Sequence, residues 1–386
     1  MDQGRSAGLF LREIGRRVEA IRADLPCLVE MGEGMAEHLV SGGEIFVPPV
    51  AKWWVSEFSN RAGGLMGISW GDHAGPFVSR SPHDVAYVAL PAKWDEESSR
   101  EWKKLVHSPA KIFALGEASQ VQERGRVESF TGLGEASAQN EGFRQFEQLV
   151  RGWLVAGEMI AACTRCGRMP HMWMSVWLEG ALVRNASFYN HDNLREPWYV
   201  PVFHEKIYVP PLEARRVSEE FLRELLAIHA LLIQQEVRLR QGAQWIAQAK
   251  QNKRRVSMVA VGHSYPEILE MPESDWPVAW SKSISNVSRA HPDDLAEGDV
   301  AIHFGYSPVD TEHVKGIVER GTKLIYSSPY GRPATLKDHP NLLWLDLPWR
   351  PGDATVDVPG YSVRILPMSS TAHTMAYYAL LAEAGL

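Results

Sequence analysis

Three hydroxyls in a row, Ser369-Ser370-Thr371, open the last helical stretch of the chain, and His373 follows within the first turn. One hydroxyl is enough to cap a helix. Three at a single start exceed that need and suit an anion held at the positive end of the helix dipole. His373 would then be either an acid or base facing the same crevice or a packing residue. A second start, Ser264-Tyr265-Pro266-Glu267, reads Ser-x-x-Glu with proline in the first turn, and a capping box alone accounts for Ser264 and Glu267. Gly262 and His263, just before it, are not explained by capping and keep a binding role open. Ser307-Pro308 is either an ordinary helix start or a ligand contact. Cys163-x-x-Cys166, followed by His171, invites a zinc or redox reading, but it lacks a second pair of ligands and follows a long helix rather than a strand. No metal and no cofactor are expected.

Alternating strands and helices must place these groups. Residues 9–42 read as helical in two pieces, broken near Pro26. Glu44-Ile45-Phe46-Val47 is a short strand, and Ala51 to Leu65 has helical character up to Gly63-Gly64. Asp84 to Leu90 and Ala110 to Leu115 read as strands around the charged helix Asp95 to Val106. A long helix over 142–162 follows, with Phe143, Phe146, Leu149, Val150, Trp153 and Leu154 at helical spacing. Residues 168–210 are rich in aromatic residues and proline, with a helix expected near 171–183. After the long helix 213–250, strands are expected at Val256 to Val261, Asp299 to Phe304, Thr322 to Tyr326, Leu342 to Leu345 and Ser362 to Leu366, before a last helix at 371–384. Short apolar runs alternating with helices predict α/β domains with parallel sheets covered on both faces. His83-Asp84-Val85-Ala86, a helix and Lys111-Ile112-Phe113 match Gly298-Asp299-Val300-Ala301, a helix and Lys323-Leu324-Ile325, so the two halves read as a duplication.

The 386 residues suit two domains, and 45% hydrophobic with 23% charged residues is a globular composition. A net charge of −7 without a basic tail disfavours nucleic acid as a partner. No apolar run approaches the length of a membrane helix, and Met1 to Gly8 lacks the apolar core of a signal peptide. Three cysteines make no disulfide framework, so a cytoplasmic location is expected.

Four stretches carry a family likeness: Ala260-Val261-Gly262-His263-Ser264; Gly298-Asp299-Val300-Ala301-Ile302 with Tyr306-Ser307 and Glu312; Arg320-Gly321-Thr322-Lys323-Leu324-Ile325; and Pro367-Met368-Ser369-Ser370-Thr371-Ala372. With them the second half resembles the sugar isomerase (SIS) family, particularly its phosphoheptose-isomerase-like branch. In the first half, Ser56-Glu57-Phe58 with Arg61-Ala62-Gly63-Gly64 resembles the helix after that family's first turn. The resemblance implies two three-layer αβα, Rossmann-like domains of SIS type: a first half over 1–167, a connecting segment over 168–212 and a second half over 213–386. It implies a small phosphorylated sugar bound at the carboxyl ends of the second half's strands by Gly262, His263, Ser264, Ser307, Ser328, Ser369, Ser370 and Thr371. Homodimerisation is implied as well. Glu57 matches a position where the phosphoheptose branch carries an acid; its other reading is a helix residue paired with Arg61 at i, i+4.

The departures matter too. Where the family's phosphate loop reads Ser-x-Ser-Gly-x-Thr, this chain has Gly305-Tyr306-Ser307-Pro308-Val309-Asp310, with one hydroxyl left and an aspartate that would repel phosphate. The corresponding turn of the first half, Leu90-Pro91-Ala92-Lys93-Trp94-Asp95, has none, which marks that half as degenerate. Two functions are therefore expected to compete. One is a phosphosugar-binding protein with aldose–ketose isomerase chemistry, using Glu57, Glu267 or His373 as acid and base. The other is a non-catalytic metabolite sensor or scaffold on the same fold.

Overall fold

The computed structural model describes residues 6–69, 79, 81–117, 127–133, 141–189, 200–260, 279–280, 295–305, 308–336 and 339–386. They form two compact units: one of residues 19–223 with 352–367, the other of residues up to 18, 224–351 and 368–386.

Helices α1 (Ala7–Ala23) and α2 (Leu25–Val40) are separated at Asp24, with Pro26 in the first turn of α2, where its missing N–H costs nothing. The first sheet comprises β1 (Ile45–Phe46), β2 (Ile68–Ser69), β3 (Val85–Ala89), β4 (Lys111–Gly116) and β5 (Ser129–Gly132), all parallel, in the order β2-β1-β3-β4-β5. Its helices are α3 (Lys52–Phe58), α4 (Glu96–Val106) and α5 (Glu141–Arg165). Period-two alternation divides β3 and β4 between two faces. Ala86, Val88, Ile112 and Ala114 pack with Trp102 and Leu105 of α4. On the other face the Tyr87 hydroxyl donates to Gly152 O of α5 at 2.7 Å, and the Trp54 indole donates to Tyr87 O at 3.2 Å. A Cβ on Gly152 would come within 2.2 Å of the Trp54 ring, so only glycine lets α3 approach α5 this closely. The unit is thus an αβα sandwich.

The aromatic stretch departs from expectation. Among its described residues only α6 (Ala181–Ala186) is helical, whereas 170–173 runs extended. Met66 N donates to His171 O, and His171 N donates to Val202 O, so this segment is clamped between two neighbours whose backbone groups it satisfies.

Helices α7 (Arg216–Gln234) and α8 (Glu236–Gln251) replace the single helix expected over 213–250. The break falls at Gln235, whose side chain bonds both the N–H and the C=O of Asp346. The second sheet has β6 (Val256–Ala260), β7 (Ala279–Trp280), β8 (Val300–Phe304), β9 (Lys323–Ser327) and β10 (Leu342–Trp344), again all parallel, in the order β10-β9-β8-β6-β7. Helix α9 (Thr311–Glu319) covers one face, with Val314, Ile317 and Val318 among Ala301, Leu324 and Tyr326. Helix α8 covers the other together with the last helix, α10 (Ser369–Ala384), since a Cβ on Gly242 would touch Leu380, Leu343 and Ile325 at about 3 Å. The run near 362–366 is not a sheet strand. Strands β11 (Ala354–Val356) and β12 (Ile365–Pro367) form a separate antiparallel hairpin that belongs to the first unit.

Numbered along the chain, both sheets have the order 2-1-3-4-5, and the likeness reaches individual bonds. Asp84 accepts from Glu44 N and Ser81 N; Asp299 accepts from Arg255 N and Ala296 N. Each aspartate precedes the third strand and ties it to the residue just before the first.

Candidate functional site

In a sheet of order 2-1-3-4-5 the chain turns in opposite senses on either side of strands 1 and 3, leaving a crevice at their carboxyl ends. In the second unit those strands are β6 and β8, with β9 beside β8. The carboxyl ends described are Phe304-Gly305 and Ser327-Ser328. Gly305 N donates to Ser327 O at 3.0 Å, which continues the β8–β9 ladder by one more bond.

Helix α10 starts at this edge. The His373 ring lies 5.6 Å from that of Phe304, the last residue of β8, and 4.9 Å from the indole of Trp349. Leu380, two turns on, reaches Gly242 as Ile325 does in mid-sheet, so α10 points its amino end at the carboxyl edge of the strands. The positive end of its dipole therefore faces the crevice. At its N-cap stands Met368, where a helix start normally has Ser, Thr, Asp or Asn. Ser369, Ser370, Thr371, His373 and Thr374 are all buried. The hydroxyls of Thr371, Thr374 and Ser327 have no hydrogen-bond partner among the described residues. A buried hydroxyl without a partner costs about 1–3 kcal/mol, and native chains keep few of them without a bound group to meet them. Ser327 pairs in register with Phe304, so its side chain leaves the sheet on the face that α10 covers. Three such hydroxyls thus lie on one face of the sheet, two of them in the first turns of α10.

Ser328 is buried, and its hydroxyl accepts from Tyr330 N at 3.3 Å, shaping the turn after β9. Gly262, His263, Ser264, Glu267 and Ser307 lie outside the described residues. Asp310 is the N-cap of α9: its carboxylate accepts from His313 N at 3.1 Å. Asp95 does the same for α4, accepting from Ser98 N at 2.7 Å. The helix start expected at Ser307-Pro308 therefore sits at Asp310, because a carboxylate there meets the N–H of the third helical residue directly. In both units an acidic side chain caps the helix that follows the third strand.

Glu57 has a different setting. It is fully buried in the first unit; one carboxylate oxygen accepts from the Trp153 indole at 2.7 Å, and the other pairs with Arg61 at 3.2 Å. Arg61 reaches Asp353 at 3.2 Å with its other terminal nitrogen. The i, i+4 pair with Arg61 read from the sequence is present. Cys163 is buried, and desolvation, with Cys166 adding to it, pushes its thiol up to about 12. It stays protonated and is a poor ligand or nucleophile.

His303, which sequence reading passed over, is the penultimate residue of β8, and its ring lies 4.6 Å from that of Tyr326. Burial, then the nearby His313, pushes its pKa down to about 3, so it is a neutral imidazole. Ser327, Thr374 and Trp349 were also missed. The run Ser369 to Thr374 would have exposed Thr374; nothing in the sequence marks the others.

No family model matches the sequence, and no curated protein does either. Among solved structures, the C-terminal domain of glucosamine-fructose-6-phosphate aminotransferase from Francisella tularensis is 10% identical, covering 97% of this chain and 94% of its own, with a TM-score of 0.48. A protein from Silicibacter pomeroyi DSS-3 named as a phosphosugar isomerase is 10% identical over 98% of both chains, TM-score 0.46. One from Salmonella typhimurium LT2 named as a sugar-binding protein is 7% identical over 98% of this chain and 99% of its own, TM-score 0.49.

Proposed function

We propose that the chain is a SIS-type protein that binds a small phosphorylated sugar at the carboxyl edge of the second sheet. The observation that carries this reading is the set of buried hydroxyls of Ser327, Thr371 and Thr374, unpartnered among the described residues, around a helix start with an apolar N-cap. A phosphate accepts from hydroxyls and helix N–H groups alike, and a sugar supplies further hydroxyls that donate and accept. The matching strand orders and the Asp84 and Asp299 ties support a duplicated architecture. The acidic caps Asp95 and Asp310 support one working site rather than two, centred on α10 rather than on α4 or α9.

Aldose–ketose isomerisation is the second reading, favoured by His373 beside the hydroxyls. Glu57 adds nothing to it, since its carboxylate is engaged by Arg61 and Trp153. Thermal melting with millimolar phosphorylated sugars tests binding. A ligand at a hundred times its dissociation constant stabilises by about 2.7 kcal/mol, and a shift with one sugar phosphate but not with inorganic phosphate is expected. No shift with any member of the panel would overturn the binding reading. Turnover of the sugar that shifts the melt, lost in His373→Gln with binding retained, would establish the isomerase.

A further inference from the structure

A fourth buried polar atom keeps company with the hydroxyls of the candidate site. Like those of Ser327, Thr371 and Thr374, the indole Nε1 of Trp349 is buried without a hydrogen-bond partner among the described residues. Buried tryptophans usually find an acceptor for that N–H, because a bare donor loses its hydration and gains nothing. Trp349 belongs to the same compact unit as the three hydroxyls.

The strands put it in place. Leu345 N donates to Tyr326 O at 2.8 Å, which carries the β9–β10 ladder one bond past Trp344 at the carboxyl edge. Asp346 is then fixed by the Gln235 amide and by Arg238, which reaches its carboxylate at 2.7 Å. Trp349 N turns back to Leu347 O at 3.1 Å, and the indole meets the His373 ring edge to face, at 4.9 Å and 75°. The Phe304 ring is a second neighbour of His373, and Phe304 pairs in register with Ser327. Trp349 and Phe304 thus flank one imidazole on the face of the sheet that α10 covers.

Trp344 shows what a bare indole means away from that face. Its Nε1 is also buried and unpartnered among the described residues. Yet Trp344 pairs in register with Tyr326, stacks on its ring at 5.2 Å and packs with Val314 and Ile317 of α9, on the opposite face. Its neighbours there are mostly apolar, and its unmet N–H is a cost of packing. Trp349 is set apart by three unmet hydroxyls on its own face.

We propose that Trp349 is a specificity-determining residue of the phosphosugar site, its indole N–H donating to a hydroxyl or carbonyl oxygen of the sugar. The inference rests on the proposed function. An indole donates and never accepts, whereas hydroxyls do both, so Trp349 demands a lone pair from the group it meets. The phosphate is provided for elsewhere. The unpaired N–H groups of a helix are those of its first turn, where Thr371 stands, whereas Trp349 meets α10 at His373, the fifth helical residue.

Trp349→Phe removes the donor and keeps an aromatic ring; Trp344→Phe makes the same change on the other face and is the control. Both lose ring area, so the readout is the melting increment that hexose and heptose phosphates give each protein, and the affinity it implies, rather than the melting point. A hydrogen bond between neutral groups is worth about fivefold to tenfold in affinity. Trp349→Phe is expected to bind the sugar phosphate that stabilises wild type more weakly by that factor, and Trp344→Phe to bind it as wild type does. The second readout is in wild type itself: the Trp349 indole N–H signal in NMR should move downfield with that sugar phosphate and stay in place with inorganic phosphate. Unchanged affinity in Trp349→Phe overturns the inference while the proposed function stands. Equal losses in both variants show general loosening and overturn it too, and a signal that moves with inorganic phosphate gives the indole to the phosphate instead of the sugar. If no hexose or heptose phosphate stabilises wild type, the proposed function fails and this inference with it.

Discussion

Glu57→Gln separates structural from catalytic roles for the carboxylate that looked most like an acid in the sequence. In the native protein its two oxygens meet the Trp153 indole and Arg61, and Arg61 also meets Asp353, giving two buried carboxylates and one guanidinium. Glutamine keeps an acceptor for the indole but loses the charge that strengthens that bond, and its amide can turn N–H groups toward Arg61. A hydrogen bond to a charged group contributes about 1.5–3 kcal/mol, against about 1 for a neutral pair. Breaking a buried pair outright costs about 3–5 kcal/mol because a bare charge remains. Here Asp353 still balances Arg61, so the cost should fall below that range, at about 2–3 kcal/mol. For a unit of this size this lowers the first melting transition by roughly 4–12 °C. Arg61→Met, which removes the cation that both carboxylates share, should cost more. The assay is differential scanning calorimetry of each variant with and without the sugar phosphate that stabilises wild type; Glu57→Gln should melt early yet keep its ligand-induced increment. Wild-type stability together with abolished turnover would refute the reasoning and return Glu57 to catalysis.

Other substitutions probe the second unit and its caps. Thr371→Val and Ser327→Ala remove hydroxyls unpartnered among the described residues, so urea unfolding without ligand should show no loss, or a gain of up to about 1 kcal/mol, while sugar-phosphate affinity falls at least fivefold. A stability loss above 1 kcal/mol would mean these hydroxyls already have partners. His303, whose pKa lies at about 3 against about 6.5 unfolded, binds fewer protons folded than unfolded between those values. Stability is therefore full above pH 7 and declines as pH falls, by about 2 kcal/mol at pH 5; urea titrations should find this slope reduced in His303→Met, and an unaltered slope would contradict it. Asp95→Ala and Asp310→Ala should each cost about 1 kcal/mol as lost caps without weakening sugar binding, and a tighter complex in Asp310→Ala would instead show that this carboxylate repels the ligand.

What the sequence revealed and what it hid follow from the range of each interaction. The strands Val85–Ala89, Lys111–Gly116, Val300–Phe304 and Lys323–Ser327 are buried on both faces over most of their length, so each appears as a largely apolar run whatever surrounds it. The break at Pro26 and the start of α10 are set by residues within one turn of them and are visible for the same reason. Residues 170–173 are extended because Gly64, Met66 and Val202 supply the partners, and local composition, rich in Met and Trp, pointed to a helix instead. The network around Glu57 mixes the two ranges. Glu57 meets Arg61 just beyond the end of its helix, and that much could be read from i, i+4 spacing; Asp353, which also meets Arg61, comes from nearly three hundred residues on. The hydroxyls follow the same division. Ser369, Ser370 and Thr371 stand out as a run, whereas Ser327 earns its place only through register with Phe304 in a neighbouring strand. A site at the carboxyl edge of a parallel sheet gathers residues from strands far apart in the chain, so its helix-borne side is legible and its strand-borne side is not. The two acidic caps are the exception that sharpens this: Asp95 and Asp310 looked like a defect in a phosphate loop, and became intelligible once each was seen to bond the helix that it starts.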